Sequence, residues 1–295
     1  MQFGRLLTAM VTPFDYNGNI NYEKTKEVIN HLIQNGTEGI IITGTTGESP
    51  TLTEDEKVDF IRFVVQYVNK RIPVIAGTGS NNTQASIILT KKAEAMGVDG
   101  VMLVTPYYNK PSQEGMYQHF KTIAEATCLP LMLYNIPGRS AVGMSVETII
   151  RLSKIENITS IKEASGNLDM MTSIIHETDD NFDLYSGDDS LTLPVLAIGG
   201  RGVVSVSSHI VGTDMQRMIT SYMNGDPRQA SLIHQQLLPT MKALFSAPNP
   251  TPVKEALCMI GINVGSVRLP LIPLTDEERA NLADTLHLNK QAQVV

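Results

Sequence analysis

Eight short runs of apolar and β-branched residues recur along the chain, and their spacing constrains the fold more than any other feature. They are LLTAMVT (6–12), GIIITG (39–44), PVIAGTG (73–79), GVMLVTP (100–106), PLMLYN (130–135), ITSIKE (158–163), FDLYSG (182–187) and GVVSVSS (202–208). Their starts advance by 33, 34, 27, 30, 28, 24 and 20 residues, so all but the last two intervals have ample room for a crossover helix and two loops. The intervening text reads as helix. NYEKTKEVINHLIQNG (21–36) begins with an Asn cap and ends at Gly36, while TEDEKVDFIRFVVQYV (53–68) opens on Thr53 with Glu56 three residues later, the capping-box pattern. NTQASIILTKKAEAMG (82–97) and QEGMYQHFKTIAEAT (113–127) set an apolar stripe against a solvated face. Eight strands alternating with helices predict a (β/α)8 barrel, with an open doubly wound sheet as the alternative.

The alternation stops near residue 225, at the turn in YMNGDPRQA. Beyond it residues 229–245, 251–261 and 275–286 read as helices, and Pro248, Pro250, Pro252, Pro270 and Pro273 are expected to separate them. The expected organisation is a barrel with the catalytic site over 1–225 and a C-terminal helical domain over 226–295, packed on the barrel flank or used in subunit contacts. Gly36, Gly97, Gly199 and Gly200 fit helix stops or tight turns and need no chemical role.

Thirty acidic residues against 23 Lys and Arg give a formal charge of -7, which argues against a broad nucleic-acid surface. No run approaches the ~18 uninterrupted apolar residues of a membrane span, and the start MQFGRLLTAMVTPFD lacks a secretory h-region. A soluble cytoplasmic protein with no membrane partner is the expectation. Cys128 and Cys258 are expected to be two buried thiols, with no disulfide framework and no cysteine-rich metal site.

In such a barrel, chemistry gathers at the C-terminal ends of the strands. Thr45, Thr46, Tyr107, Tyr108, Tyr134, Arg139, Lys162, Gly187 and Asp188 all fall there. Lys162 ends the apolar run ITSI, where a lysine is expensive to bury. An exposed lysine is a charged donor at neutral pH, whereas desolvation or a neighbouring cation frees the amine lone pair for attack on a 2-oxo group. The competing reading is an ion pair with Glu163 or another rim carboxylate. GTTGES (44–49) has neither the GxxxxGK[ST] nor the GxGxxG spacing; its threonines either present donors to a carboxylate or cap a tight loop. Tyr134 either relays a proton or packs beneath a loop. Tyr107 and Tyr108 could equally be aromatic packing at a subunit boundary. Arg139 has the planar fork that grips a carboxylate, with a loop salt bridge as the ordinary alternative. His31, His119, His176, His209, His234 and His287 form no compact ligand motif. Asp188 and Asp189 read as organisers of the next helical turn, which leaves a metal-dependent pyruvate aldolase unsupported.

Taken together, GTTGES, TPYYNKPSQEG, YNIPGRS, IKEASGN, YSGDD and NPTPVKEAL resemble the dihydrodipicolinate synthase branch of the pyruvate-dependent class I aldolase and lyase superfamily, over essentially the whole chain. The resemblance implies that Lys162 forms the Schiff base with pyruvate. By the same resemblance Thr46 holds the pyruvate carboxylate, assisted by the backbone of Thr45, and Gly187 and Val204 shape the pyruvate pocket. The Thr45 side chain, Tyr134 and Tyr108 match a proton-relay triad, Tyr108 entering the neighbouring subunit's site. Arg139 matches the residue that takes the carboxylate of the acceptor, L-aspartate 4-semialdehyde. No metal or organic cofactor is implied. A homotetramer built as a dimer of dimers is the expected assembly, although dimeric members exist.

Sister families that cleave sialic acid or handle other sugar acids share the lysine, the tyrosine and a related glycine loop. GTTGE, the YY pair at 107–108 and PGRS with Arg139 favour the short carboxylate-bearing acceptor instead. A non-enzymatic binding protein is the more distant alternative, since ligand binding alone needs no buried amine nucleophile. Ser49, Asn81 and Tyr107 match parts of a lysine-binding regulatory pocket. Pro50, Glu54, Lys57 and Ala85 depart from that pattern, Ala85 offering no carboxylate and Lys57 adding like charge. Weak or absent inhibition by lysine is therefore expected.

Overall fold

The computed structural model describes residues 3–286. Each of the eight runs becomes a strand: β1 Leu6–Ala9, β2 Gly39–Ile42, β3 Val74–Gly77, β4 Gly100–Val104, β5 Leu131–Asn135, β6 Ile158–Glu163, β7 Asp183–Ser186 and β8 Gly202–Ser205. All pair in parallel, each with its sequence neighbours, and β8 returns to β1 to close the barrel. Closure removes both sheet edges, which excludes the open-sheet alternative. At the seam a Cβ on Gly202 would lie 2.0 Å from the Arg5 carbonyl oxygen, so glycine is what lets β8 approach β1.

Helices fill the crossovers: α1 Tyr22–Gln34, α2 Glu54–Val68, α3 Thr83–Met96, α4 Gln113–Ala124, α5 Pro137–Ser140, α6 Val146–Ser153, α7 Leu168–Glu177, α8 Thr192–Ala197 and α9 Ser208–Met223. The Asn21 cap on α1 and the Thr53–Glu56 capping box on α2 are both formed. The last two intervals hold the shortest connections. α7 fits between β6 and β7, and a 3-10 turn plus the six-residue α8 fit between β7 and β8.

Alternation along each strand splits the apolar residues into two cores. Leu7, Ala9, Ile41, Ile75, Met102, Met132, Tyr134, Tyr185 and Val204 pack inside the barrel. Ile40, Ile42, Val101, Leu103, Leu131, Leu133, Ile158 and Ile161 face out beneath the helices. The β5–β6 ladder breaks phase once. Leu131 pairs with Ile158 but Met132 pairs with Ser160, which leaves Thr159 as an extra residue. Above that bulge Tyr134 sits opposite Lys162 and Asn135 opposite Glu163.

Beyond the barrel come α10 Pro227–Ala243, α11 Thr251–Met259 and α12 Asp276–Thr285. Ala230, Ile233, Leu237 and Met241 of α10 pack with Met215 and Met218 of α9 against Leu6 and Val203. Pro252 does not separate helices as the sequence suggests. It is the second residue of α11, where its missing N–H has no intrahelical acceptor to lose. Pro239 likewise lies inside α10.

The thiols also differ from expectation: Cys128 is exposed on the loop before β5, and Cys258 is half-buried in the last turn of α11. Both are free. His209 is fully buried near the seam, its Nδ1 donating to the Val206 carbonyl at 2.8 Å and its Nε2 accepting from the Val11 N–H at 3.3 Å. Burial pushes its pKa down to about 4. His287 lies outside the described residues. Among the described residues, no helix is long and apolar enough to cross a membrane.

Candidate active site at the barrel mouth

Lys162 is the penultimate residue of β6 and shares its inward phase with Ser160, so the chain must bury it inside the barrel. It is 5% exposed, and its Nζ lies 4.2 Å from the centre of the Tyr134 ring. Tyr185 flanks it on the other side, across the β6–β7 ladder. No carboxylate among the described residues forms an ion pair with it. Glu163 points the opposite way, its carboxylate accepting from Asn135 Nδ2 at 2.8 Å and from the Ser165 N–H at 2.7 Å. Burial raises the Glu163 pKa despite those bonds. Strand alternation thus removes the Lys162–Glu163 pair that the sequence left open.

Gly187 follows β7 and abuts the amine's stem. A Cβ there would lie 3.1 Å from Lys162 Cε and 2.6 Å from Ala164 Cβ, so any side chain would crowd the amine. Val204 belongs to the same inner cluster as Tyr134 and Tyr185. Asp188 caps the short 3-10 turn at Asp189–Leu191 through the Ser190 N–H at 3.0 Å. Asp189 is buried and accepts from the Val206 and Ser207 N–H groups and from Ser207 Oγ. Both carboxylates organise backbone, as expected. Among the described residues, no three His, Cys, Asp or Glu side chains cluster as metal ligands.

The loop after β2 is folded tightly. Thr43 and Glu48 both adopt positive φ, and the Thr43 hydroxyl is bonded to the carbonyls of Ile42 and Gly77. Thr12 Oγ1 donates to the Gly47 carbonyl at 2.7 Å. Thr46 is buried, while Thr45 is half-buried and lines a cavity of about 290 Å3 together with Tyr134, Arg139, Tyr107, Ser49 and Lys57. Arg139, exposed on α5, has no ion-pair partner among the described residues and also borders a second hollow with Gly187 and Asp188. A loop salt bridge is therefore not its role here.

Tyr108 stands apart. It is 87% exposed, has positive φ, and does not line the cavity shared by Thr45 and Tyr134. Contacts and shared hollows link Lys162, Tyr134, Gly187, Val204, Thr45 and Arg139, whereas the buried Thr46 lines neither hollow and Tyr108 stands outside. Of the residues matched to a regulatory pocket, Ser49 and Tyr107 border the same cavity; of those that depart from its pattern, Pro50 and Lys57 border it too, Glu54 is drawn to Lys92, and burial lowers the Lys57 pKa.

Three residues that sequence reasoning did not single out fasten the Thr45–Thr46 loop from the C-terminal segment. Asn249 Nδ2 donates to Thr46 Oγ1 at 3.0 Å. Lys254 Nζ lies 2.6 Å from Glu48 Oε1, with both side chains buried. The Arg268 N–H donates to Glu48 Oε2 at 2.9 Å, and its guanidinium grips Glu56 and the Thr51 carbonyl. The available signal was a lysine within an apolar helical stripe: Thr251, Lys254 and Leu257 share one buried face of α11.

The family model for the dihydrodipicolinate synthetase family matches residues 2–289. The 4-hydroxy-tetrahydrodipicolinate synthases of Bacillus velezensis and Bacillus subtilis are 62% and 61% identical, each match covering 97% of this chain and 99% of the relative. A crystal structure of dihydrodipicolinate synthase from Bacillus anthracis superposes with a TM-score of 0.96 at 61% identity, covering 97% of this chain and 98% of that one. The lysine-bound enzyme from Cyanidioschyzon merolae gives 0.95 at 46% identity, covering 98% of both chains.

Proposed function

This chain belongs to the dihydrodipicolinate synthetase family, and from that premise we infer that it has 4-hydroxy-tetrahydrodipicolinate synthase activity. It is a lyase that condenses pyruvate with L-aspartate 4-semialdehyde on the route to diaminopimelate and lysine. The observation that carries the reading is a buried amine, Lys162, at the barrel mouth with a tyrosine face beside it and no ion-pair partner among the described residues.

In this reading Thr46 and the Thr45 backbone hold the pyruvate carboxylate while Lys162 Nζ attacks C2, and water leaves to give an imine. Gly187 and Val204 leave room for that small adduct. The imine withdraws electrons, a methyl proton departs, and the enamine carbon becomes the nucleophile. Arg139 holds the acceptor's carboxylate by its planar fork. As the enamine carbon attacks the aldehyde carbon, the carbonyl oxygen takes a proton through Tyr134, Thr45 and Tyr108. The acceptor's amino group then attacks the imine carbon, expels Lys162 and closes the ring of 4-hydroxy-2,3,4,5-tetrahydrodipicolinate.

The exposure of Tyr108 supports its service to a neighbouring subunit; a homotetramer assembled as a dimer of dimers, working in the cytoplasm, belongs to the same reading. Ala85 and Lys57 support weak or absent lysine inhibition, since neither offers an anion to an ammonium group.

Turnover of pyruvate with L-aspartate 4-semialdehyde, followed by coupled reduction of the product, tests the activity. Turnover that lysine at 1 mM, roughly a thousandfold above a tight micromolar site, reduces by less than about half is the expected result. Folded protein that ignores the semialdehyde, or turns over a polyhydroxylated aldehyde instead, overturns the reading.

A further inference from the structure

Asn249 stands between the C-terminal segment and the loop after β2. It is buried, as is Thr46, and its Nδ2 donates to Thr46 Oγ1 at 3.0 Å. The other end of the amide decides its orientation. Asn249 Oδ1 is buried and accepts no hydrogen bond from the described residues. Turning the amide over would put its N–H donors at that place without an acceptor, a rarer and costlier defect than a carbonyl with unused lone pairs.

A threonine hydroxyl carries one hydrogen and two acceptor sites. With Asn249 on one acceptor site, the Thr46 hydrogen is left to point elsewhere, and among the described residues no acceptor takes it. Two other threonines around this loop differ. Thr43 Oγ1 gives its hydrogen to backbone carbonyls, and Thr12 Oγ1 gives its own to the Gly47 carbonyl. Thr46 alone of these three is kept as a free donor, and the side chain that keeps it so comes from the far end of the chain.

We propose that Asn249 is a positioning residue that fixes Thr46 as a hydrogen-bond donor toward a substrate carboxylate, so that the C-terminal segment takes part in selecting the substrate. The inference rests on reading Thr46 as the carboxylate ligand. Lys254, just over one helical turn further on, anchors Glu48 of the same loop by charge. The segment thus holds the loop by an ion pair at one point and sets its polarity by a neutral hydrogen bond at another.

The test is steady-state kinetics of the full-length enzyme with pyruvate varied, using Thr46→Val, Asn249→Ala, Asn249→Asp and the Thr46→Val/Asn249→Ala double variant. Thr46→Val is expected to raise the pyruvate KM at least about tenfold, the scale of one hydrogen bond to a charged group. Asn249→Ala is expected to raise it about three- to tenfold with kcat nearly unchanged, because the freed hydroxyl can rotate away. Asn249→Asp turns an acceptor toward Thr46, captures its hydrogen and adds like charge, so its KM should exceed that of Asn249→Ala. In the Thr46→Val background Asn249→Ala should add nothing. If it raises KM equally in both backgrounds, or if Asn249→Asp binds pyruvate like wild type, the proposal is overturned. An unchanged KM in Thr46→Val instead removes the carboxylate role of Thr46, and the proposal with it. Asn249→Ser, read by the same outcomes, replaces the alanine variant should that one not purify folded.

Discussion

Two lysines are buried at the mouth end of this barrel, and they are held in opposite ways. Lys254 is 2% exposed and meets a carboxylate at 2.6 Å, a carbonyl of Ser266 at 2.9 Å and the face of Phe14 at 4.1 Å. Lys162 is 5% exposed and meets the face of Tyr134, with no ion pair. Each buried amine has an aromatic wall; among the described residues, only Lys254 has an anion. An anion together with a carbonyl acceptor occupies the ammonium hydrogens and turns the amine into a strut. The amine of Lys162 meets an aromatic face and no anion among the described residues.

The comparison breaks first on reactivity. Lys162→Ala should lower turnover on the order of 10³-fold or more and abolish borohydride trapping of a pyruvate adduct, with thermal stability nearly kept. Trapping that persists in that variant would move the nucleophile elsewhere, and Lys254 is the first place to look. The second test is stability. Lys254→Met strands the Glu48 carboxylate and should cost about 3–5 kcal/mol in denaturant unfolding, while the folded fraction still traps pyruvate. Adding Glu48→Gln should return most of that loss, because two neutral groups need no partner charge. A Lys254→Met variant as stable as wild type would demote the pair to a bystander.

The smallest effect adds a third buried base, His209, whose folded pKa of about 4 lies below the ~6.5 of an unfolded histidine. Between those values the unfolded chain binds a proton that the folded chain refuses. Its contribution is therefore present above about pH 6.5 and is lost as pH falls toward 4, reaching about 3 kcal/mol. His209→Gln should lower stability at neutral pH yet flatten its decline over that window, as followed by urea unfolding. Equal slopes in both proteins would show that the imidazole is not what acid attacks.

The sequence made the barrel legible because β strands buried on both faces read as nearly continuous apolar runs, as in GIII, VIAG and GVMLV, although ITSIKE and DLYS are mixed. Lys162, Tyr134 and the Thr45–Thr46 pair were legible for the same reason, as polar residues where such a run ends. Asn249 and Lys254 were not. Their partners lie about 200 positions away, Asn249 and Thr46 being 203 apart, and no periodicity links a proline-rich turn to a glycine-rich loop. Tyr108 stands among the strand-end residues too, but only the resemblance gives it a role, and within one chain it lies exposed outside the cavity. Cys128 defies the usual burial of a free thiol because the residues ahead of Leu131 are still surface loop.

The extra residue at Thr159 has a consequence for how this site can change over generations. Were Thr159 paired in regular register, Leu131 opposite Ile158 would continue as Tyr134 opposite Ile161 and Asn135 opposite Lys162, and the amine would leave the barrel. The direction of the reactive nitrogen is therefore decided three residues below it, roughly 10 Å away, by a count and not by an identity. Loss of the Thr159 codon would therefore leave Tyr134 opposite Lys162, whereas a Thr159 drawn into the ladder would exchange the nucleophile for an isoleucine.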